Sequence, residues 1–93
     1  MNDATRFGRE LADATVARMN AEGLSGQEAA IFAAAEVVRR ADAMVELGET
    51  REAAGRWSEA VIKAYGARLD ERIRATRRFG GPTARQAAVR YQA

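Results

Sequence analysis

The 93-residue chain contains no histidine and no cysteine. The side chain best suited to moving protons near neutral pH is therefore missing. So are a thiolate nucleophile, a disulfide and a thiolate metal site. Two serines remain, Ser25 and Ser58. Ser25 stands where a helix N-cap is expected, and Ser58 belongs to no recognisable nucleophile–base motif. Paired carboxylates could do acid–base work, but Glu52–Arg56, Glu59–Lys63 and Asp70–Arg74 place acids four residues before a base. On a helix this spacing gives solvated ion pairs, each contributing about 0.2–0.5 kcal/mol. Asp42 and Glu46 form a like-charged pair at the same spacing, suited to sharing a cation, to meeting a basic partner or simply to solvation. No Walker loop, dinucleotide fingerprint, zinc spacing or calcium loop is present. Gly80-Gly81-Pro82 lacks the Lys and Ser/Thr of a phosphate loop. No catalytic, cofactor-binding or metal-binding residue is assigned, and the reading is of a protein that is not an enzyme.

The arginines are the remaining chemistry. Residues 1–50 carry a net charge of −4 and residues 51–93 a net charge of +6. After Glu71 no acid appears, while Arg72, Arg74, Arg77, Arg78, Arg85 and Arg90 follow. A planar guanidinium fork pairs with carboxylate or phosphate, so this end is expected to bind an anionic surface. On a helix, Arg68 and Arg72 share one side, Arg74 and Arg78 lie on another, and Arg77 is opposite the first pair. Such a collar suits a protein partner with an acidic surface better than a groove-reading DNA contact. The competing reading is a solvated helix end whose cations complement the helix dipole.

The elements that must carry these residues are helices. Ala, Arg and Glu are plentiful, only one Pro occurs, and β-branched runs are almost absent. The expected fold is all-α. Helix one is expected from Asp3, as N-cap, to Glu22, with Gly23 past its end. Helix two starts at the capping box Ser25-Gly26-Gln27-Glu28 and ends at Gly48. Its seam of Ile31, Ala34, Val38, Ala41 and Val45 is either internal core or an oligomer interface. Helix three starts at the N-cap Thr50 and is expected to reach about Arg78. The short link at Gly48–Thr50 makes helices two and three an antiparallel hairpin, with helix one packed alongside as a small bundle. Gly80-Gly81-Pro82 predicts a break. The division is a helical domain over 1–79 and a short basic segment over 80–93, with a last short helix or tail from Thr83 to about Tyr91.

Residues Gly55 to Val61, with Tyr65 after them, resemble one piece of a tetratricopeptide repeat over about a dozen residues. No second copy exists, and a solenoid needs about three repeats, so no function is carried over. Trp57, the one tryptophan, is expected in the core on helix three's apolar side; exposed, it would be an interface anchor.

The apolar fraction of 47% is half alanine, with four Leu and three Ile. Burial contributes about 25 cal/mol per Å², so alanine adds little. A core this thin predicts a homo-oligomer. The polar N-terminal stretch lacks the apolar run of a signal peptide, and no apolar stretch is long enough for a membrane span. A cytoplasmic protein without a membrane partner is expected. The functional reading is a small protein-binding adaptor, inhibitor or assembly component, analogous in size and fold class alone to accessory proteins of phages and mobile elements. The alternative is a nucleic-acid-associated protein, in DNA packaging or regulation, using the Arg-rich half.

Overall fold

The structure is a computed structural model that describes residues 2–92, with side chains described for residues 2–75. Three helices follow one another: α1 (Asp3–Glu22), α2 (Gly26–Glu46) and α3 (Arg51–Gln92). Among the described residues there is no strand. The expected all-α bundle is present.

Polar caps set the helix starts. Ser25 and Glu28 form the expected capping box, each side chain bonded to the other's backbone N–H at 3.1 Å. Thr50 Oγ1 accepts from the Ala53 N–H at 3.0 Å, as its cap position predicts. At α1 the cap is one residue earlier than expected. Asn2 Oδ1 accepts from the Thr5 N–H at 2.7 Å, and Asp3 lies in the first turn, paired with Arg6 at 3.0 Å. Both can satisfy the orphan amides of a first turn, and Asn is as good a cap as Asp. Gly23 and Gly48 close α1 and α2 at φ 67° and 108°, values that an L side chain rarely adopts.

Packing is dominated by α1 against α3. Gly8 meets Val61, Ala64 and Tyr65, and Asp13 meets Arg68 and Arg72, so the two helices ascend in parallel. The connection Gly48–Thr50 turns α2 back against both. Every buried position on α1 except Leu11 is small: Ala4, Gly8, Ala12 and Thr15. This lets α1 approach the α3 backbone closely, and Val61, fully buried, sits at the contact. Phe7 packs on Trp57 with ring centroids 5.2 Å apart. Trp57 is half-buried and packs at the edge of this cluster.

The contact of α2 with α1 uses a different chemistry. Arg18 of α1 lies over the Phe32 ring at 4.4 Å, and Arg40 of α2 lies 5.9 Å from the Phe7 centroid. Cation–π contacts of this kind contribute about 0.5–1 kcal/mol each at exposed sites. The buried face of α2 is Ala29, Ala33 and Val37. Within the seam Ile31, Ala34, Val38, Ala41, Val45, Ile31 is 64% exposed and Val38 58% exposed, whereas Ala41 and Val45 are half-buried.

The α3 backbone runs through Gly80-Gly81-Pro82 without the interruption that this stretch predicts. The domain boundary placed there depends on side chains outside the described residues. No helix among the described residues is long and apolar enough to cross a membrane.

Candidate functional site

The exposed seam of α2 faces a gap. Because α2 lies more loosely on α3 than α1 does, an apolar trough opens between α2 and α3, with α1 as its floor. One half of it, about 510 Å³, is walled by Ala34, Val38 and Ala41 on α2 and by Ser58 and Ile62 on α3, over Leu11. The other half, about 590 Å³, lies between Gly26 and Ala29 on α2 and Leu69 and Ile73 on α3, over Val16 and Met19. Ala30 and Tyr65 line both halves, so the trough is continuous. Ile62 and Ile73 are 59% and 48% exposed along its α3 wall. Large apolar residues gathered on one open strip, and not scattered singly, mark an interaction surface.

The local sequence explains the opening. Alanines along α2 present one methyl each and leave space beside α3 that longer side chains would fill. Gly55 and Gly66 on α3 are also uncrowded. A Cβ at either position would meet nothing within 4 Å. Each glycine costs about 1 kcal/mol relative to Ala in a helix interior and gains no close contact within the chain.

Charge is sorted around the bundle. On the α1–α3 side, Asp13 accepts from Arg68 Nε at 2.9 Å and from Arg72 at 3.1 Å. Arg68 also donates to Glu71 at 2.9 Å, and Glu71 accepts from Arg9 at 3.4 Å. The Arg68 hydrogen bond holds the Asp13 carboxyl below the ordinary carboxylate range, with Arg72 adding to it. Glu71 is lowered mainly by Arg68. The Arg68 guanidinium is raised in turn by these carboxylates. Asp42, Glu46, Glu52, Glu59 and Asp70 are exposed and take part in no ion pair among the described residues. The acid-first pairs expected at Glu52–Arg56, Glu59–Lys63 and Asp70–Arg74 do not form.

Asp42 lines the trough directly, and Glu46 lies one turn on, beside Arg51. Glu59 and Asp70 each precede an exposed isoleucine, Ile62 and Ile73, by three residues, which places them beside it on the helix surface. The charged residues that line the trough and the hollow adjoining it are two acids, Asp42 and Glu46, and two cations, Arg51 and Arg72.

No family model, no curated protein and no solved structure matches the chain. The site is read from its own geometry.

Of the residues singled out in the sequence, Ile31, Ala34, Val38, Ala41 and Val45 lie together along the outer side of α2; Ala34, Val38 and Ala41 enter the trough. Arg72 is engaged with Asp13 and also borders the trough. Arg74 is exposed. Arg77, Arg78, Arg85 and Arg90 lie outside the residues whose side chains are described. Both serine hydroxyls are tied to backbone: Ser25 Oγ caps α2, and Ser58 Oγ donates to the Ala54 carbonyl at 2.9 Å. Asp42 and Glu46 are exposed, and among the described residues no cluster of three or more potential ligands is placed to hold a metal ion. The sequence reading missed Ile62, Tyr65, Leu69 and Ile73 as a wall of the site. The signal was there, since Ile62, Tyr65, Leu69 and Ile73 recur at spacings of three and four along helix three.

Proposed function

We propose that this chain is a non-enzymatic protein-binding protein, an adaptor, inhibitor or assembly component, that docks its partner in the α2–α3 trough. The observation that carries the reading is the continuous apolar strip of Val38, Ile62 and Ile73 left open between two helices. A trough with this shape and lining accommodates an amphipathic helix, with apolar anchors recurring at helical spacing. Nucleic acid is the less favoured ligand, because phosphates seek cations and the trough is lined mainly by apolar side chains.

The test is a pull-down from nuclease-treated lysate with the wild-type chain and with the double variant Val38→Asp, Ile62→Asp. Both residues are more than half exposed, so the variant is expected to fold. Specific proteins retained by the wild type and lost by the variant support the reading. Retention that vanishes with nuclease, or that the variant leaves unchanged, overturns it. The first of those outcomes promotes nucleic-acid association through the acid-free, Arg-rich stretch after Glu71.

A further inference from the structure

Two glycines interrupt the apolar side of α3 where nothing within the chain calls for them. A Cβ at Gly55 or Gly66 would meet nothing within 4 Å, and both lie in the helix interior. With two isoleucines they form a single stripe. Gly55, Ile62, Gly66 and Ile73 follow one another at spacings of seven, four and seven. At 3.6 residues per turn, the four stay within about 40° of one another around the helix. Both isoleucines stand out from it, 59% and 48% exposed, along the trough's α3 wall.

This stripe is complementary to its own reverse. Ile62 and Gly66 lie two residues either side of Ala64, and Gly55 and Ile73 lie nine either side. Two such helices laid antiparallel about Ala64 set every isoleucine opposite a glycine. Ile62 of each copy meets Gly66 of the other, and Ile73 meets Gly55. Facing helices interdigitate where a large residue meets a small one. A stripe shaped for an unrelated partner has no need of this symmetry. A two-fold contact demands it, because residue i meets j while j meets i.

We infer that a second copy of this chain covers the α2–α3 trough, the two α3 helices running antiparallel along 55–73 about a two-fold axis at Ala64. The inference rests on the docking reading above and names the partner. Each α3 then lies in the other copy's trough and also covers Val38 on its α2 wall, which is 58% exposed. The face is large enough. Two helices wide, about 20 Å, and about 27 Å long, it presents roughly 540 Å² on each copy. The pair thus covers roughly 1,100 Å² in projection, above the ~1,000 Å² that a specific interface needs. Charge does not oppose the pairing. The charged lining of the trough and its adjoining hollow, Asp42 and Glu46 with Arg51 and Arg72, is balanced, so the face does not repel its own copy. On the flank away from α2, Asp70 of one copy falls level with residue 58 of the other, between Arg56 and Glu59, with Arg74 a turn beyond. These two acids and two cations take part in no ion pair within their own chain among the described residues. The assembly is closed, since each trough is filled once.

The experiment uses full-length chains and sedimentation equilibrium across the micromolar range. The wild type is expected to be a dimer. Gly66→Ile fills the depression that receives Ile62, and it is expected to weaken dimerisation about tenfold or more through overpacking. The same change replaces a poor helix former in open space, so circular dichroism is expected to show the helices intact. Ala67→Leu, exposed and off the stripe, is the control and is expected to leave the dimer unchanged. The decisive variant is the double exchange Ile62→Gly, Gly66→Ile. It swaps projection and depression on both copies at once, so it is expected to restore the dimer that Gly66→Ile alone loses. A wild type that stays monomeric throughout overturns the inference. So does a dimer indifferent to Gly66→Ile, or a double exchange that associates no better than Gly66→Ile. If the mass is monomeric and Val38→Asp, Ile62→Asp nonetheless loses lysate partners, the docking reading stands and only the second copy is rejected.

Discussion

Gly8 of α1 lies so close to Val61 of α3 that a Cβ at residue 8 would stand 2.5 Å from the Val61 carbonyl oxygen. It would also stand 2.8 Å from the Ala64 Cβ and 3.0 Å from the Tyr65 nitrogen. Two of these three atoms are helix backbone, which cannot swing aside, so Gly8→Ala must push α1 away from α3. Alanine gains roughly 1 kcal/mol in helix propensity, but overpacking costs about 1–3 kcal/mol. The expected result is a net loss, read as a thermal midpoint lowered by several degrees, at roughly 4–8 °C per kcal/mol for a domain this size. Gly66→Ala is the control. Nothing lies within 4 Å of its added methyl, so the isolated chain is expected to gain stability. Equal effects at the two positions would contradict the close α1–α3 contact.

The ion pairs across α1 and α3 predict an acid-sensitive contact. The folded chain lowers Asp13 from its ordinary value of 3.8 and Glu71 from 4.5. A group depressed on folding contributes stability above its ordinary value, and that contribution is lost as pH falls through the folded value. The α1–α3 contact is therefore expected to weaken below about pH 4, and Asp13→Asn to flatten that part of the stability profile. Urea midpoints measured from neutral to acid pH check this. Both partners are largely solvated, so added salt should shrink the difference between wild type and variant. A variant profile parallel to the wild type would remove Asp13 from the account.

Truncation after Gly81 separates folding from binding. The removed residues hold only Val89 and Tyr91 as large apolar groups. The helical signal per residue, and the melting temperature at dilute concentration, are expected to stay nearly unchanged. Partner binding is expected to weaken with the loss of Arg85 and Arg90. A large drop in melting temperature at dilute concentration would mean that the segment is part of the chain's own core.

Helix starts were the most legible part of the sequence, because caps are local. Ser25 with Glu28, and Thr50, state their role within four residues, as Gly23 and Gly48 do at helix ends. The core face of α2 was not legible from hydrophobicity. Ile31, Val38 and Val45 are the larger side chains, so periodicity selects their seam. The chain instead buries Ala29, Ala33 and Val37, because close helix approach rewards small residues and leaves the bulkier side outward. Gly8 was missed for the same reason. The sign was a small residue every fourth position, Ala4, Gly8 and Ala12, which helix propensity reads as weakness. The ion pairs were misjudged because neighbours at i,i+4 are visible in a sequence, whereas Asp13 and Arg68 are 55 residues apart. Arg68 and Arg72 did share one side, as helical geometry required.

The parallel pairing of α1 with α3 has a bearing on how the chain acquires its structure. The best-packed pair of helices is also the pair farthest apart along the chain, with all of α2 between them. During synthesis α1 has no close-packed mate until the stretch around Val61 has emerged, and α2 alone offers it chiefly the two arginine–aromatic contacts. Closing that long loop costs entropy before the contact rewards it. The chain is therefore expected to fold more slowly than an ordinary three-helix protein whose helices pair in order, with the rate set by the meeting of its first and last helices.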